Sequence, residues 1–343
     1  MANKIFRWGI IGPGRIAEQF ARGLTVIDGA CLYAVASSSK QRAQTFALDH
    51  GAPVSYDSYQ ALYEDPNIDA IYIATPHRFH FQQARECLLA GKPVLCEKPL
   101  TVNATEAQEL ITLSKSTGVF LMEAMWTRYL PIYQQVKAWL DADKIGSVTK
   151  VTSSFGFEFP RNYEDRVLNH ELAGGALLDL GIYNLSLSQW IFSDQPTRFS
   201  IKGFLGGTHV DEHDEVLLNY SNGRTSDFVI SLNKQLSNNL TIIGSAGKIE
   251  IDALFSDSKK ATLTIEKTST TPKEVVCVTE EFRATGFEYE TEEAVQCIQQ
   301  GLIESPRMPH KDTLATMKLM DQLRKSIGLT YSFEQQENIF AHE

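Results

Sequence analysis

No window of this sequence approaches the roughly 20 consecutive apolar residues of a membrane-spanning helix, and the opening MANKIFRWG lacks the apolar stretch of a secretory signal. The five cysteines, Cys31, Cys87, Cys96, Cys277 and Cys297, are odd in number and widely spaced, with no CxxC pair. That pattern excludes a disulfide framework and points to a reducing, cytoplasmic setting. Basic excess is missing too: 32 Lys and Arg face 42 Asp and Glu, for a net charge of −10. Nucleic acid is thereby excluded as a partner and an anionic membrane disfavoured, because phosphate binding needs a basic surface. There is no internal repeat, long linker or low-complexity tract. What remains is an ordinary globular composition, 43% hydrophobic over 343 residues, enough for two domains with a real core.

The most informative stretch that is present reads GIIGPGRIA, Gly9 to Ala17. An apolar run, Ile5–Ile11, precedes it and helical composition, Arg15–Leu24, follows. Strand, glycine turn and helix in that order form a cradle for a dinucleotide pyrophosphate. Gly12 permits the tight turn and Gly14 lets the backbone approach the phosphates. Ala17, where a third glycine often stands, is small enough for close packing of helix on strand. Free N–H groups of the helix start would face the anion, which makes Gly9, Gly12, Pro13, Gly14, Arg15 and Ile16 cofactor-site candidates.

Over the first ~120 residues strand runs alternate with helical patterns, as in βαβ units. Strands are expected at Ile5–Ile11, Cys31–Ala36, Ala70–Ala74, Val94–Glu97 and Val119–Met122. Beyond Pro131 the pattern changes. A helix over Gly175–Trp190 is followed by strand runs at Thr197–Phe204, Glu215–Tyr220, Thr225–Leu232, Leu240–Ile243 and Lys248–Asp252, with two more near Ala261–Ile265 and Glu274–Thr279. Asn222-Gly223 between two of these is a strong hairpin signal. The expected fold is α/β: an N-terminal doubly wound parallel sheet of Rossmann type over residues 1–123, then a C-terminal α+β domain with a large open, mostly antiparallel sheet over 124–343.

Between Asp28 and Asp49 there is no acidic residue. An NAD site usually carries Asp or Glu at the end of its second strand for the ribose hydroxyls. This chain has Ser37-Ser38-Ser39-Lys40-Gln41-Arg42 there. Hydroxyls with Lys40 and Arg42 suit a 2′-phosphate, so NADP is favoured over NAD.

Two further motifs carry chemistry. In Cys96-Glu97-Lys98-Pro99, Lys98 follows the carboxyl end of a parallel strand, where ligands bind in open α/β sheets. A lysine there could donate a proton, orient a hydroxyl or lower a neighbour's pKa. In GGALLDLGIY, 174–183, Asp179 and Tyr183 stand four apart on one face of an otherwise apolar helix. Polar groups in such a helix must pair or face a cavity. A buried Asp–Tyr hydrogen bond that only holds the core is the alternative.

GIIGPGRIA, ATPHRFH at 74–80, AGKPVLCEKPL at 90–100 and GGALLDLGIY, in this order, resemble the Gfo/Idh/MocA oxidoreductase family over essentially the whole chain. Tyr183 stands where many members have His. With MEAMWTRYLP at 122–131 and MPHKDTLATMKLMDQLR at 308–324, it resembles the branch of dimeric dihydrodiol dehydrogenases and NADP-dependent D-xylose dehydrogenases. The resemblance implies Lys98 and Tyr183 as catalytic pair and Asp179 as the carboxylate beside the substrate. It places Trp126 and Arg128 near nicotinamide and substrate, and Thr75, Pro76, His77, His80 and Glu97 along the cofactor. Phe159 joins Lys98, Trp126, Asp179 and Tyr183 as a substrate-site candidate. A homodimer or homotetramer through the C-terminal sheet is implied.

The reaction that follows is hydride transfer at a carbinol or carbonyl carbon of a sugar, polyol or vicinal diol. A tyrosine with a pKa of about 10 needs help at neutral pH, and a nearby Lys98 cation would supply it. Which of the two carries the proton stays open. The alternatives are a reductase of another keto- or anhydro-sugar and a non-catalytic NADP-binding sensor. No metal is expected, since nothing completes a ligand set around His77 and His80. The run His209, Asp211, Glu212, His213, Asp214 looks metal-like but reads as a solvated turn between strands.

Overall fold

The computed structural model describes residues 5–267 and 273–334. The chain divides into two compact units, one of residues up to Trp126 with Phe282–Met317, the other of Thr127–Glu281 with the residues from Lys318 onward.

The first unit is built on six parallel strands: β1 (Phe6–Ile11), β2 (Ala30–Ala36), β3 (Val54–Tyr56), β4 (Ala70–Ile73), β5 (Val94–Glu97) and β6 (Leu121–Ala124). Their order is β3-β2-β1-β4-β5-β6, with every pair parallel. The strands are near-continuous apolar runs because both faces of such a sheet are covered. Helices α1 (Arg15–Leu24), α2 (Lys40–His50), α3 (Tyr59–Glu64), α4 (His80–Leu89) and α5 (Ala104–Thr117) connect them. β3 and α3 lay below what the apolar pattern revealed; β3 is three residues long and half-buried throughout. On one face, Trp8 of β1 meets Phe20 of α1 edge-on, and Phe20 stacks on Tyr72 of β4 with centroids 3.9 Å apart. Burial of side chains this large contributes about 2–3 kcal/mol each. The chain order reverses between β1 and β4, which puts the switch point of the sheet at their carboxyl ends.

In the second unit, α6 (Pro131–Asp141) leads to β7 (Val148–Gly156) and α7 (Ile182–Phe192). Seven strands follow: β8 (Arg198–Leu205), β9 (Asp211–Asn219), β10 (Thr225–Ser231), β11 (Leu240–Gly244), β12 (Gly247–Ile251), β13 (Lys260–Ile265) and β14 (Glu274–Thr279). They form an eight-stranded sheet in the order β14-β13-β12-β11-β7-β10-β9-β8. All neighbours run antiparallel except β7 and β10. The hairpin expected at Asn222-Gly223 joins β9 to β10, with both residues at positive φ. α7 is apolar on nearly every side and buried. Two of its polar side chains pair with the sheet: Asn184 Nδ2 donates to Ser153 Oγ at 2.7 Å, and the Ser188 and Ser226 hydroxyls lie 2.7 Å apart.

Two helices close the chain, α8 (Phe287–Gln299) and α9 (His310–Ser326). α8 belongs with the first unit: Thr285 Oγ1, just before it, donates to Gln19 O at 2.8 Å, and Gly23 of α1 leaves room for Thr285 and Glu288. The start of α9 is tied to β6 through His310 Nε2, 2.8 Å from Leu121 O.

One expectation is overturned. Asp211, Glu212 and Asp214 are not in a solvated turn: they open β9 and are all but inaccessible to solvent. The turn ends before them, where His209 N donates to Gly206 O.

Candidate active site

The glycine turn sits at the switch point. Gly12 has φ +86°, and a Cβ there would lie 2.7 Å from Thr75 Cγ2 and 2.9 Å from Thr75 N. Only glycine fits that conformation beside the neighbouring loop without strain. A Cβ at Gly14 would have open space, and Gly14 caps α1 without a side chain, so the first N–H groups of α1 are left for a ligand. Arg15 and Ile16 are exposed on this helix start, whereas Gly9 lies inside β1 against Ile68 and Leu62 and serves packing.

At the end of β2, Ser37 is buried, and its Oγ accepts from Ser39 N at 3.2 Å. Ser39 caps α2, accepting from Arg42 N. Ser38 and Lys40 are exposed. Arg42 reaches back to the glycine turn, donating from Nη2 to Pro13 O at 3.1 Å. Sequence reasoning brought these groups together only as neighbours; the Arg42–Pro13 contact ties the α2 start to the turn itself. The donors of α1, the open approach at Gly14 and the hydroxyls and cations of 37–42 all fit a dinucleotide.

The loop after β4 carries Thr75, Pro76 and His77. Thr75 Oγ1 donates to Gln83 at 2.6 Å. His77 is buried, edge-on to His80. His80 is wholly buried, with Nδ1 2.9 Å from Pro99 O and Nε2 2.8 Å from Thr75 O. Its ring therefore joins the loop after β4 to the loop after β5. The signal was in the sequence only as a histidine on the buried side of a helix start.

Lys98 follows β5, is half-buried, and precedes Pro99 across a cis peptide bond. Its loop is held by carboxylates. Glu97 accepts from Lys98 N at 3.3 Å and from the Tyr72 hydroxyl. Glu123 accepts from Leu100 N at 3.0 Å and from Thr313 Oγ1 at 2.8 Å. Glu290 of α8 is fully buried; burial first, and then the charge of Glu97, push its carboxyl well above the usual range, so it stays neutral. Burial, with the charge of Glu97 next, likewise pushes the Tyr72 phenol well up, so it remains a donor. Trp126 tilts against Phe287 with centroids 4.7 Å apart.

The second unit supplies Asp179 and Tyr183. Residues Leu177–Gly181 form a π-helical turn that runs into α7; such widened turns are frequent at functional sites. A regular helix was expected here. Gly181 allows the departure, packing where a Cβ would press on Leu177 and Ile230. Asp179 is buried and paired with Arg166, which sequence reasoning did not single out. Tyr183 is half-buried, its ring edge-on to Phe155 of β7 at 5.6 Å. Phe155 in turn meets Phe157, and Phe157 meets Phe159. The structure thus sets an arginine against Asp179 and an aromatic wall beside Tyr183. Arg128 is buried, donating from Nε to Ser186 Oγ at 3.1 Å and from Nη2 to Ser186 O at 3.0 Å. A buried guanidinium must spend its donors on acceptors, and Arg128 buttresses the helix one turn past Tyr183.

The oxidoreductase family described as GFO_IDH_MocA, with an NAD-binding Rossmann fold, matches residues 6–125, and the GFO/IDH/MocA C-terminal domain matches 133–250. The chain belongs to the Gfo/Idh/MocA family. It is 35% identical over 331 residues to the trans-1,2-dihydrobenzene-1,2-diol dehydrogenase of Xenopus tropicalis, covering 95% of this chain and 99% of that one. With the enzyme of the same description from Bos taurus it shares 34% over 332 residues, 95% and 98% of the two chains. Among solved structures it is similar to a 3-ketoreductase from Actinomadura kijaniata, crystallised with NADP and TDP-benzene: 26% identity, TM-score 0.81, covering 94% and 97% of the chains. This Gfo/Idh/MocA member is a dehydrogenase or reductase acting on CH–OH groups of a small molecule. Among the described residues, no helix is long and apolar enough to cross a membrane, and no group of three or more His, Cys, Asp or Glu side chains could hold a metal.

Proposed function

We propose that the chain is an NADP-dependent oxidoreductase acting on a carbinol or carbonyl carbon of a sugar, polyol or vicinal diol, of the D-xylose or trans-dihydrodiol type. The observation that carries the cofactor choice is the end of β2: no acid between Asp28 and Asp49, and Arg42 held at the glycine turn through Pro13 O. The similarity to dihydrodiol dehydrogenases supports the substrate class. Reduction of a keto-sugar is the second reading, favoured by the similarity to a 3-ketoreductase.

A bound nicotinamide supplies the hydride donor or acceptor. The chain's task is the hydroxyl proton. In this reading Tyr183 is the general acid/base at that oxygen. Lys98 donates to the same oxygen and favours the phenolate. Asp179, oriented by Arg166, accepts a second substrate hydroxyl. Phe155 and Phe159 offer an apolar flank to the carbon skeleton, with Trp126 as a further flank. Gly12, Gly14 and the start of α1 hold the pyrophosphate; Ser37, Ser39, Lys40 and Arg42 hold the 2′-phosphate. A homodimer or homotetramer through the second unit's sheet and a cytoplasmic setting complete the proposal. It is tested with pentoses, hexoses and cyclic diols, each assayed with NADP and with NAD. Turnover of at least one sugar or diol, faster with NADP, is expected. Tight NADPH binding without turnover of any carbinol or carbonyl compound would instead make the chain a sensor.

A further inference from the structure

The buried acids of β9 have no part in the chemistry above, yet they touch the element that carries it. Asp211 Oδ2 accepts from Leu177 N at 2.5 Å, at the start of the π-helical turn that bears Asp179 and leads to Tyr183. The carboxyls of Asp211 and Asp214 lie close enough to act on each other. Neither residue has any solvent exposure. Asp211 Oδ1 and both oxygens of Asp214 find no other donor in the described structure. The surroundings are cut to admit them. A Cβ at Gly175 would fall within bonding distance of Asp211 Oδ1, and one at Gly203 would lie 2.7 Å from Asp214 Oδ1.

We propose that Asp211 and Asp214 are positioning residues for the reaction: one hydrogen-bonded carboxyl pair fixes the helix start that sets Asp179 and Tyr183. This rests on the proposed function. Two carboxylates in contact and out of water cannot both ionise, so one proton stays between them. Burial, the Asp211 charge and the hydrogen bond to Asp211 hold the Asp214 carboxyl up at about 10. Burial raises the Asp211 carboxyl too, against the Leu177 N–H bond and Arg324; of the two, Asp214 is assigned the proton, which leaves Asp211 the acceptor toward Leu177 N–H.

The Arg324 guanidinium acts on the pair and pulls the Asp211 carboxyl down, by less than burial pushes it up. Opposite Asp214, β8 presents Gly203 and β10 presents Ile230. Facing the pair from the C-terminal segment are Tyr331, Arg324 and Glu334. The Tyr331 hydroxyl donates to Gly174 O at 2.5 Å. Arg324 places its terminal nitrogens on Glu334 and Asp321. The loop just before the helix is thus gripped from two sides, by Asp211 at Leu177 and by Tyr331 at Gly174.

The test uses the full chain with Asp214→Asn, Asp214→Ala and Asp211→Ala, read by hydrogen–deuterium exchange of peptides spanning 174–185 and by NADPH titration and steady-state kinetics. Asn keeps a donor toward Asp211; Ala removes it. The expected result for both Ala variants is at least tenfold faster exchange over 176–183. Their kcat should fall about tenfold with the NADPH Kd unchanged, a loss the size of one buried hydrogen bond. Asp214→Asn should keep slow exchange and kcat within about twofold of the parent chain. Slow exchange in both Ala variants would overturn the proposal, as would Asp214→Asn behaving like Asp214→Ala. The exchange readout needs no turnover, so a parent chain that oxidises no polyol would refute the proposed function and leave this test standing.

Discussion

Arg166 grips Asp179 at two points, Nη1 3.0 Å from Oδ1 and Nη2 3.4 Å from Oδ2, with the carboxylate buried and the guanidinium about one-third exposed. The pair fixes the direction of the buried carboxyl's oxygens. Arg166→Gln removes that ion pair. It should lower stability by about 2 kcal/mol in urea unfolding and raise the substrate KM, with NADPH affinity unchanged. Asp179→Asn in the same chain should recover part of the stability. A double-mutant coupling near zero would show that the two groups act separately.

Arg42 spans the ends of β2 and the glycine turn. Arg42→Ala should weaken NADPH binding about tenfold, as expected for a lost charge-assisted phosphate contact, and leave NADH binding nearly untouched. Fluorescence titration of both cofactors reads this directly. Equal loss for the two would remove Arg42 from 2′-phosphate recognition.

Gly12→Ala would push a methyl into Thr75 at a positive φ. The strain should cost about 1–3 kcal/mol and impair both cofactors alike, in contrast to Arg42→Ala. A variant with parental thermal stability and cofactor affinity would contradict the geometry of the turn.

Asp214 makes stability depend on pH in a definite sense. Its folded pKa, about 10, lies above the ordinary carboxylate value. Below that ordinary value both states are protonated and the group contributes nothing. Between about 4 and about 10 the unfolded chain gives up a proton that the folded chain keeps, so stability falls as pH rises. The slope is at most about 1.4 kcal/mol per pH unit. Glu290, raised by burial and by Glu97, acts in the same direction. Denaturation at pH 5, 7 and 9 should show Asp214→Asn gaining on the parent chain as pH increases. A constant difference would mean that Asp214 is ionised in the folded protein.

Much of the first unit was legible because its signals are local. An apolar run, two glycines and a helical pattern are contiguous, and they fold into β1, the turn and α1 as the spacing implies. Lys98, Asp179 and Tyr183 stood out for a similar reason, as polar groups at a strand end or within an apolar helix. Arg166 did not, because a charged residue in a polar stretch looks like solvated surface until its partner is known. The sequence put His80 along the cofactor and Arg128 near nicotinamide and substrate, but did not reveal that His80 meets two backbone carbonyls and that Arg128 donates to Ser186 O and Oγ. Such pairings depend on residues distant in sequence. The acids of β9 misled for the same reason: Asp211, Glu212 and Asp214 read as a turn by composition, while inside the fold Leu177 N–H donates to Asp211 and Arg161 pairs with Glu212.

The most direct test of the account is the Tyr183→Phe variant, assayed for NADPH binding and for turnover of the best sugar or diol substrate. The account predicts an NADPH Kd within about twofold of the parent and a kcat lower by about 10²-fold or more, the share usually supplied by a general acid/base. A kcat equal to the parent's would contradict it.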